Sequence, residues 1–341
     1  MQVSCVDLFC GVGGLTHGLI RGGLAVEAGI DLDDSCQFPF EANNAGARFI
    51  QKSVEEVSAS ELKSLFEARD YTVLAGCAPC QPFSNYSRGR GERNEGKWAL
   101  LKAFGKLAEE VRPDVITMEN VPELIKHEVF NDFLKHLSDY YLWFDIVDCT
   151  RFGLPQQRKR LVLLASRIKP ISLIPYTHDT SQKVTVRDVI GQLPPLNSGE
   201  SDPNDPLHVA SKLTPKNIER IRASKPGGTW RDWPDHLIAN CHKKASGTTY
   251  SGVYGRMEWD KPSPTMTTLC YGYGNGRFGH PEADRGISLR EAAIFQSFPA
   301  EYEFVKPGER PQFKKIGRLI GNAVPVRLGE VIAESIKLHL E

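Results

Sequence analysis

The chain has 341 residues and equal numbers of basic and acidic side chains, 42 of each, so its formal net charge is zero. This length leaves room for two domains and a sizeable hydrophobic core. Because the chain as a whole is not a polycation, any binding to nucleic acid must depend on a local basic surface.

The chain opens with a strand, a glycine-rich loop and a helix. Val3–Phe9 is an apolar run, Cys10–Gly14 is the loop, and helical spacing of apolar residues starts at Leu15. Glycines at such a turn let the backbone approach a ligand, and the helix N-terminus offers unpaired N–H groups. A second apolar strand from Ala25 ends before Asp31, where doubly wound folds place an acid for ribose hydroxyls. This pattern predicts an adenosine-containing cofactor, although the spacing is not G-x-G-x-x-G and NAD is disfavoured.

Cys80 follows a third apolar strand. Residues 75–84 read AGCAPCQPFS and come directly after Val73 and Leu74. This thiol lies between a proline and a glutamine, where a buried strand ends in a loop, so we expect it to be accessible rather than packed in the core. That is a position for a nucleophile. The alternative is that Cys80 is a small buried hydrophobe.

Glu119 ends a fourth buried strand, Val115–Met118. The carboxyl ends of strands line the ligand crevice of an open α/β sheet, so Glu119 should point toward the same crevice as Cys80. Burial disfavours a charged carboxylate, which suits such a residue to donate or share a proton. Capping of the following helix is the alternative role.

Two arginines precede a fifth strand. Arg158 and Arg160 are spaced i, i+2 before Leu161–Ala165. This spacing predicts that they share one face, so both could reach into one site. Arginine there could bind a carboxylate or a phosphate through two hydrogen bonds.

Basic residues mark two candidate DNA-facing segments. Arg88–Arg93 is a glycine-punctuated basic loop, long enough to be a lid that closes over DNA, or an ordinary surface loop. Residues 206–257 contain nine Lys or Arg and only three acids, which predicts a cationic wall facing phosphates. The predicted DNA-binding residues are Ser84, Arg88, Arg90, Arg231, Lys243, Lys244 and Arg256.

Strands and helices alternate to about Ser166, and the pattern breaks down after Pro194–Leu196. The prediction is an α/β, Rossmann-like catalytic and cofactor-binding domain over residues 1–195 and 313–341, with a mixed, mostly parallel sheet and helices on both faces. A smaller, irregular, β-rich recognition domain is predicted over 196–285, with a hinge over 286–312. The tryptophans of that smaller domain, Trp230, Trp233 and Trp259, could read bases or lie in its core.

The ordered motifs resemble the DNA (cytosine-5) methyltransferase family over almost the whole chain. The matching blocks are Asp7–Gly14, Pro79–Ser84, Glu119–Val121, Gln157–Arg160 and Gly321–Pro325. The resemblance implies methyl transfer from S-adenosyl-L-methionine to C5 of a cytosine flipped out of duplex DNA, with S-adenosyl-L-homocysteine as product. It also identifies the smaller domain as a target recognition domain.

The resemblance implies a role for each catalytic residue. Cys80 would add to C6 of cytosine, and Glu119 would supply a proton at N3. Asn120 would hold the loop that presents Glu119. Arg158 and Arg160 would bind the O2 atom of the base or a flanking phosphate.

The cofactor residues also follow from matching positions. Phe9 would lie beside the adenine and the glycines beside the methionine part. Two departures are visible: Ser53 stands where the family usually has Asp near the adenine amino group, and Thr72 replaces an acid that often opens the strand before Cys80. The implied set is Phe9, Gly11, Gly13, Asp31, Ser53, Pro79, Leu100 or Leu101, Asn322 and Ala323.

Four other functions use the same residues. A tRNA cytosine-5 methyltransferase would share the catalytic residues and differ in the recognition segment. A thiol-disulfide enzyme would use Cys77 and Cys80, but redox C-x-x-C motifs normally open a helix. A zinc site would need Cys77, Cys80, Cys241 and His242, of which one spacing fits. A DNA-binding relative without activity is disfavoured because the catalytic set is present.

Cellular context is inferred from composition and from the two ends of the chain. The eight cysteines lack paired spacing beyond Cys77 and Cys80, no signal peptide precedes Val3, and no apolar run has the length of a membrane span. We therefore expect a cytoplasmic, monomeric enzyme without metal. The lack of a long extension before Val3 or after Leu340 resembles stand-alone bacterial or phage modification enzymes, which predicts a role in protecting host DNA from a partner restriction endonuclease.

Overall fold

The computed structural model describes residues 2–66, 70–79, 95–244 and 247–341, with the side chains of 95–97 outside the description. The chain forms two compact units. The first comprises Met1–Phe152, Lys159–Thr177 and Ala323–Glu341, and the second comprises Gly153–Arg158 and His178–Asn322.

The first unit contains a seven-stranded sheet. Its strands are β1 (Val3–Leu8), β2 (Ala25–Asp31), β3 (Arg48–Gln51), β4 (Tyr71–Gly76), β5 (Val115–Asn120), β6 (Tyr141–Asp148) and β7 (Lys159–Ser166). Their spatial order is β3-β2-β1-β4-β5-β7-β6. The pairs among β1 to β5 are parallel, whereas β7 is antiparallel to both β5 and β6. The predicted mixed, mostly parallel sheet is confirmed.

Ten α-helices are assigned within the described residues. They are α1 (Gly14–Arg21), α2 (Gln37–Asn43), α3 (Ala59–Leu65), α4 (Glu95–Val111), α5 (Glu128–Lys135), α6 (Val186–Ile190), α7 (Pro215–Ala223), α8 (Leu289–Phe295), α9 (Phe313–Asn322) and α10 (Val326–Leu340). The helices α1 to α5 and α10 belong to the first unit.

Helices cover both faces of the sheet, as predicted. Val6 and Leu8 of β1 lie in one hydrophobic cluster with Phe104 of α4. Asp7, which lies between them, accepts a hydrogen bond from Thr16 of α1 over 2.7 Å. Because successive residues of a strand point to opposite faces, α4 and α1 cover opposite sides of the sheet.

Two glycines allow α1 and α10 to approach closely. A Cβ atom added at Gly18 would lie 2.3 Å from the carbonyl oxygen of Val326 and 2.6 Å from the Cα atom of Gly329. A side chain larger than hydrogen therefore has no room at Gly18. The C-terminal helix is thus built into the first unit although it lies far along the chain from α1.

The second unit differs from the predicted β-rich domain and is longer than the predicted 196–285. Its described residues contain isolated β-bridges, such as that between Gln156 and Ser263, but no strand. In this unit, arginine side chains bind some of the backbone carbonyls that neighbouring strands would otherwise bind. The guanidinium of Arg256 donates to the carbonyl oxygens of Ile221 and Ser224, and that of Arg285 donates to the carbonyl of Leu196 over 3.1 Å.

The contacts that extend the second unit beyond the predicted boundary at residue 195 lie around α6. The backbone N–H of Val186 donates to the carbonyl of Lys261 over 2.9 Å, and that of Arg187 donates to the carbonyl of Trp259 over the same distance. Residues predicted to belong to the catalytic domain are therefore bonded to the middle of the second unit. The bounds of a recognition domain remain a prediction.

Candidate active site

A crevice opens where the strand order reverses, between β1 and β4. Leu8 and Gly76 are paired at the carboxyl ends of these parallel strands. From there the chain turns into the glycine-rich loop on one side and runs toward Cys80 on the other. Open α/β sheets bind ligands at this position because the two loops diverge and leave a gap.

The loop after β1 has an unusual backbone. Phe9 has a φ angle of 58°, Gly11 of 52° and Gly13 of 86°, all in the left-handed region. The strain at Phe9, which is not a glycine, is offset by hydrogen bonds that hold the loop to β2. The N–H of Cys10 donates to the carbonyl of Ile30 over 3.2 Å, and the N–H of Gly11 donates to the carboxylate of Asp31 over 2.9 Å.

A cavity of about 300 Å³ lies beside this loop. It is lined by Phe9, Asp31, Leu32, Asp33, Lys52, Ser53, Val54, Pro79 and Leu100. Five of these residues were predicted as cofactor contacts from the sequence: Phe9, Asp31, Ser53, Pro79 and Leu100. The alternative Leu101 lies instead in the hydrophobic core, 2% exposed.

Sequence reasoning missed four lining residues: Leu32, Asp33, Lys52 and Val54. Leu32 and Asp33 directly follow the predicted acid, and Lys52 and Val54 flank the predicted Ser53. Their positions next to predicted residues in the sequence could have indicated that they line the cavity. The ammonium of Lys52 is 2.7 Å from the carboxylate of Glu61, which holds one wall of the cavity to α3.

The carboxylate of Asp31 is oriented by the backbone. One oxygen accepts from the N–H of Gly11 and the other from the N–H of Asp33, both over 2.9 Å. Burial raises the pKa of Asp31, and the two N–H donors partly oppose this rise. Each carboxylate oxygen has two lone pairs, so Asp31 can still accept hydrogen bonds from ligand hydroxyl groups.

Asp7 is a second, fully buried carboxyl group on β1. Its Oδ2 accepts from the hydroxyl of Thr16 over 2.7 Å. Burial, together with the nearby charge of Asp31, raises the pKa of Asp7 to about 7, although the hydrogen bond from Thr16 opposes the rise. Asp7 ties β1 to α1 on either side of the glycine loop, a role that the sequence motif did not reveal.

Glu119 sits at the end of β5 and is 3% exposed. Its Oε1 atom lies 2.7 Å from Nε of Arg160, a side chain that is 12% exposed. Its Oε2 atom lies 2.9 Å from Sγ of Cys77, which donates the hydrogen bond. The two carboxylate oxygens of Glu119 therefore have different partners, a guanidinium and a thiol.

Asn120 connects the ends of two strands. Its side-chain amide donates to the carbonyl of Ala78 over 3.0 Å, and its Oδ1 accepts from the N–H of Val121 over 2.8 Å. The sequence predicted that Asn120 holds the loop presenting Glu119. The side chain bonds in addition to the segment that leads into Cys80.

The two arginines of the Gln157–Arg160 motif have different surroundings. Arg160 is within β7 and pairs with Glu119. Arg158 belongs to the second unit, where its guanidinium donates to Gln156 and to the carbonyl of Met266, each over 3.3 Å. The strand begins only at Lys159, so the alternation that predicted a shared face does not reach Arg158.

The remaining predicted residues fall into three groups. Cys80, Ser84, Arg88 and Arg90 lie outside the described residues. Gly13 precedes α1 in the left-handed conformation, and Asn322 is exposed at the end of α9 in the second unit. Ala323 is buried before α10 in the first unit.

Thr72, the other departure from the family pattern, is hydrogen-bonded to Asp114, the residue that precedes β5. Its backbone N–H and its hydroxyl both donate to one carboxylate oxygen of Asp114 over 2.9 Å. The N–H of Asp114 donates back to the Thr72 hydroxyl over 3.1 Å. These bonds tie the start of β4 to the start of β5 without an acid at residue 72.

Candidate DNA-facing residues lie on the second unit. Arg231, Lys243 and Lys244 are exposed there. Arg256 is buried, and its guanidinium donates to the carbonyls of His280 and Glu282 as well as to Ile221 and Ser224. This placement does not support the DNA contact predicted for Arg256, because its donors are used inside the unit.

The structure also decides the role of the tryptophans. Trp230 and Trp233 are 6% and 5% exposed and lie in one cluster with Leu237, so both are core residues. The ring of Trp230 stacks on His242 at a centroid distance of 4.3 Å. Trp259 is half-buried, with its ring edge-on to His280 at 5.2 Å.

The fold and the site together define a class of protein. A doubly wound α/β sheet with a cavity at its topological switch point is the architecture of proteins that bind nucleotide-like cofactors. The model of the family described as C-5 cytosine-specific DNA methylase matches residues 3–338. The chain belongs to this family.

Individual relatives agree with the family assignment. The chain is 54% identical to the type II methylase M.HgiDII of Herpetosiphon aurantiacus, over 100% of this chain and 97% of that protein. It is 28% identical to the type II methyltransferase M.Sau96I of Staphylococcus aureus, over 98% of this chain and 75% of that protein. The chain is thus a DNA (cytosine-5)-methyltransferase, an S-adenosylmethionine-dependent enzyme that acts on DNA.

Solved structures show the same fold. A prophage-encoded Escherichia coli protein assigned as a DNA modification methyltransferase superposes with a TM-score of 0.71 at 22% identity, covering 99% of both chains. The Entamoeba histolytica methyltransferase EhMeth superposes with a TM-score of 0.66 at 15% identity, covering 100% of this chain and 99% of that one. Across the described part of the chain, the helices are too short or too polar to span a membrane.

Proposed function

We propose that this enzyme methylates C5 of one cytosine in a specific duplex DNA sequence by covalent catalysis, with Cys80 as the nucleophile and Glu119 as the proton donor. One observation supports the proposal most strongly. The buried Glu119 is paired with Arg160, and the adjacent Asn120 bonds to the segment that leads into Cys80. A carboxyl group and a nucleophile attached to neighbouring strand ends can act on one base.

The chemistry requires this pairing of groups. C5 of cytosine is too weak a nucleophile to attack a sulfonium methyl group unaided, so a thiolate first adds to C6. As the bond from Cys80 to C6 forms, Glu119 gives a proton to N3 and thereby neutralises the negative charge that develops on the ring. After methylation the C5 proton leaves, Cys80 is eliminated, and the N3 proton returns to Glu119.

The cavity beside the glycine loop fits the adenosine part of S-adenosyl-L-methionine, which supplies the methyl group when bound. A volume of about 300 Å³ is at the lower end of the range for ligand pockets. Phe9 and Leu100 offer apolar walls for a base, and Asp31 offers a carboxylate for ribose hydroxyls. Ser53 offers a hydroxyl where the family usually has a carboxylate. Gly11, Gly13, Asn322 and Ala323 complete the proposed set by family resemblance.

The target base must leave the helix before it can react. Extrusion of a base costs a few kcal/mol, offset by contacts in the pocket and along the DNA backbone. Arg231, Lys243 and Lys244 are exposed on the second unit and are proposed to contact phosphates. Ser84, Arg88 and Arg90 are proposed on sequence grounds, and Arg158 on family resemblance.

A mechanism-based trap tests the nucleophile. Duplex DNA with 5-fluorocytosine at the target position should become covalently attached to the enzyme in the presence of S-adenosyl-L-methionine, because fluorine cannot leave as the C5 proton does. Peptide mapping should locate the bond at Cys80. The Cys80→Ala variant should lose methyl transfer and attachment but keep DNA binding, whereas Cys241→Ala should behave as wild type. Attachment elsewhere, or none, would refute the proposal.

We also propose that the enzyme protects host DNA from a partner restriction endonuclease, because the relatives named above are type II enzymes. Genomic DNA from cells that express it should resist one specific nuclease, and bisulfite sequencing would give the modified sequence. A monomeric state and a cytoplasmic location are part of the same proposal. The tRNA methyltransferase alternative is less supported, because the matching family model is specific for DNA. Methylation of tRNA but not of duplex DNA would favour it.

A further inference from the structure

We propose that Cys77 is a positioning residue for the reaction: its thiol holds Oε2 of Glu119, the oxygen that carries the proton to the base. The inference rests on the function proposed above. It concerns a thiol other than the nucleophile. Cys77 lies three residues before Cys80 and 42 residues before Glu119 in the chain.

The two oxygens of Glu119 are not equivalent. Oε1 lies 2.7 Å from Nε of Arg160, and a guanidinium remains protonated at any pH at which an enzyme works. A proton on Oε1 would lie against the positively charged guanidinium of Arg160, which is unfavourable. Oε2 faces the sulfur of Cys77 at 2.9 Å, so the transferable proton belongs on Oε2.

A thiol suits this position because it can donate and accept. When Glu119 is ionised, the S–H group of Cys77 donates to Oε2. When Glu119 carries the proton, its O–H can donate to the sulfur, which is a weak acceptor. The contact therefore persists in both protonation states. Backbone N–H groups or ammonium groups could only donate, and would oppose protonation.

Backbone hydrogen bonds fix the position of Cys77. The N–H of Cys77 donates to the carbonyl of Leu8 over 3.3 Å, directly beyond the last residue of β4. One residue further on, Asn120 bonds to the carbonyl of Ala78 over 3.0 Å. The backbone around Cys77 is thus held at the switch point, so its Cα atom keeps a fixed position relative to Glu119.

The test compares Cys77→Ala and Cys77→Ser with wild type. Loss of the contact should lower kcat about five- to tenfold in Cys77→Ala, with KM for DNA and for S-adenosyl-L-methionine changed by less than about twofold. The serine hydroxyl can also donate and accept, so Cys77→Ser should recover kcat to within about twofold of wild type. Cys241→Ala, which removes an exposed thiol of the second unit, is the matched control.

A second measurement separates proton donation from methyl transfer. With S-adenosyl-L-homocysteine bound, Cys80 can add to C6 while N3 receives the proton of Glu119. C5 then takes a proton from water and loses its tritium label, after which Cys80 is eliminated and the N3 proton returns to Glu119. Release of tritium from DNA containing cytosine labelled at C5 should slow in Cys77→Ala by the same factor as kcat.

Three results would overturn the inference: wild-type kcat in Cys77→Ala, equal loss in the serine and alanine variants, or an effect on KM alone. Thermal unfolding of each variant shows whether it is folded. If Cys77→Ala is unfolded, the kcat of Cys77→Ser tests the inference. Failure of the wild-type enzyme to attach to 5-fluorocytosine DNA would instead refute the proposed function itself. Normal attachment with unaffected Cys77 variants would refute only the role of Cys77.

Discussion

The side-chain amide of Asn120 donates a hydrogen bond to the carbonyl of Ala78 over 3.0 Å, between residues 42 positions apart in the chain. The bond joins the carboxyl end of β5, where Glu119 lies, to the segment between β4 and Cys80. Both ends of this bond are buried, with Asn120 2% exposed. This hydrogen bond therefore joins the end of the strand that carries the proposed proton donor to the segment that precedes the proposed nucleophile.

Replacing Asn120 by alanine should slow catalysis more than it weakens binding. The Ala78 carbonyl would be left buried and unsatisfied, at a cost of about 1–3 kcal/mol, so single-turnover methyl transfer should slow by roughly tenfold or more. DNA affinity, measured by fluorescence anisotropy, should stay within about twofold of wild type. Asn131→Ala, an exposed position on α5, provides the control. A full rate in Asn120→Ala would contradict the role of the bond.

Replacing Arg160 by alanine should reduce kcat by roughly 100-fold, because it breaks a buried ion pair and leaves Glu119 without its cation. Arg160→Lys should recover only part of the rate, since an ammonium cannot reproduce the Nε geometry. Steady-state kinetics with Lys159→Ala, an exposed neighbour on β7, as control would check this. If Arg160→Ala and Lys159→Ala had equal activity, the pair with Glu119 would not be part of the reaction.

Replacing Asp31 by alanine should weaken cofactor binding by about tenfold or more, because hydrogen bonds to a charged group are worth about 1.5–3 kcal/mol. The N–H of Gly11 would also lose its acceptor, so the glycine loop would be held less firmly. Calorimetric titration with S-adenosyl-L-homocysteine measures the effect. Asp34→Ala, which changes an exposed acid three residues further along the chain, should bind normally. Unchanged affinity in Asp31→Ala would remove this residue from the cofactor site.

Asp7 should make the stability of the protein depend on pH. Burial raises the pKa of Asp7 to about 7, whereas an aspartate in an unfolded chain ionises near pH 3.9. Between these values the unfolded chain releases a proton that the folded protein keeps. The stabilising contribution is therefore complete below about pH 4 and is lost as the pH rises to about 7.

The variant Asp7→Asn cannot ionise and should lack this dependence. From about pH 5 to about pH 8, the free energy of unfolding of wild type should fall by about 2–3 kcal/mol relative to that of Asp7→Asn. Urea denaturation at both pH values measures the difference, and Asp34→Asn should follow wild type. Parallel pH dependence in wild type and Asp7→Asn would show that Asp7 is ionised in the folded protein.

Local sequence was sufficient to predict the strands, the glycine loop and five residues that line the cavity beside it. Apolar runs of strand length and the glycines after the first of them are signals carried by neighbouring residues. Phe9, Asp31, Ser53, Pro79 and Leu100 could therefore be predicted from the ends of strands and from the family motifs. Glu119 at the end of β5 was accessible in the same way, because an open sheet places every parallel strand's carboxyl end at one edge.

Only the tertiary structure decided which side-chain atoms meet. Arg160 pairs with Glu119 while Arg158 lies in the second unit, Cys77 contacts the other oxygen of Glu119, and Arg256 is buried rather than exposed to DNA. Periodicity assigns a residue to a face of its own strand or helix. It does not determine the register between β4, β5 and β7, nor which distant carbonyls a guanidinium satisfies, because these depend on how segments far apart in the chain pack together.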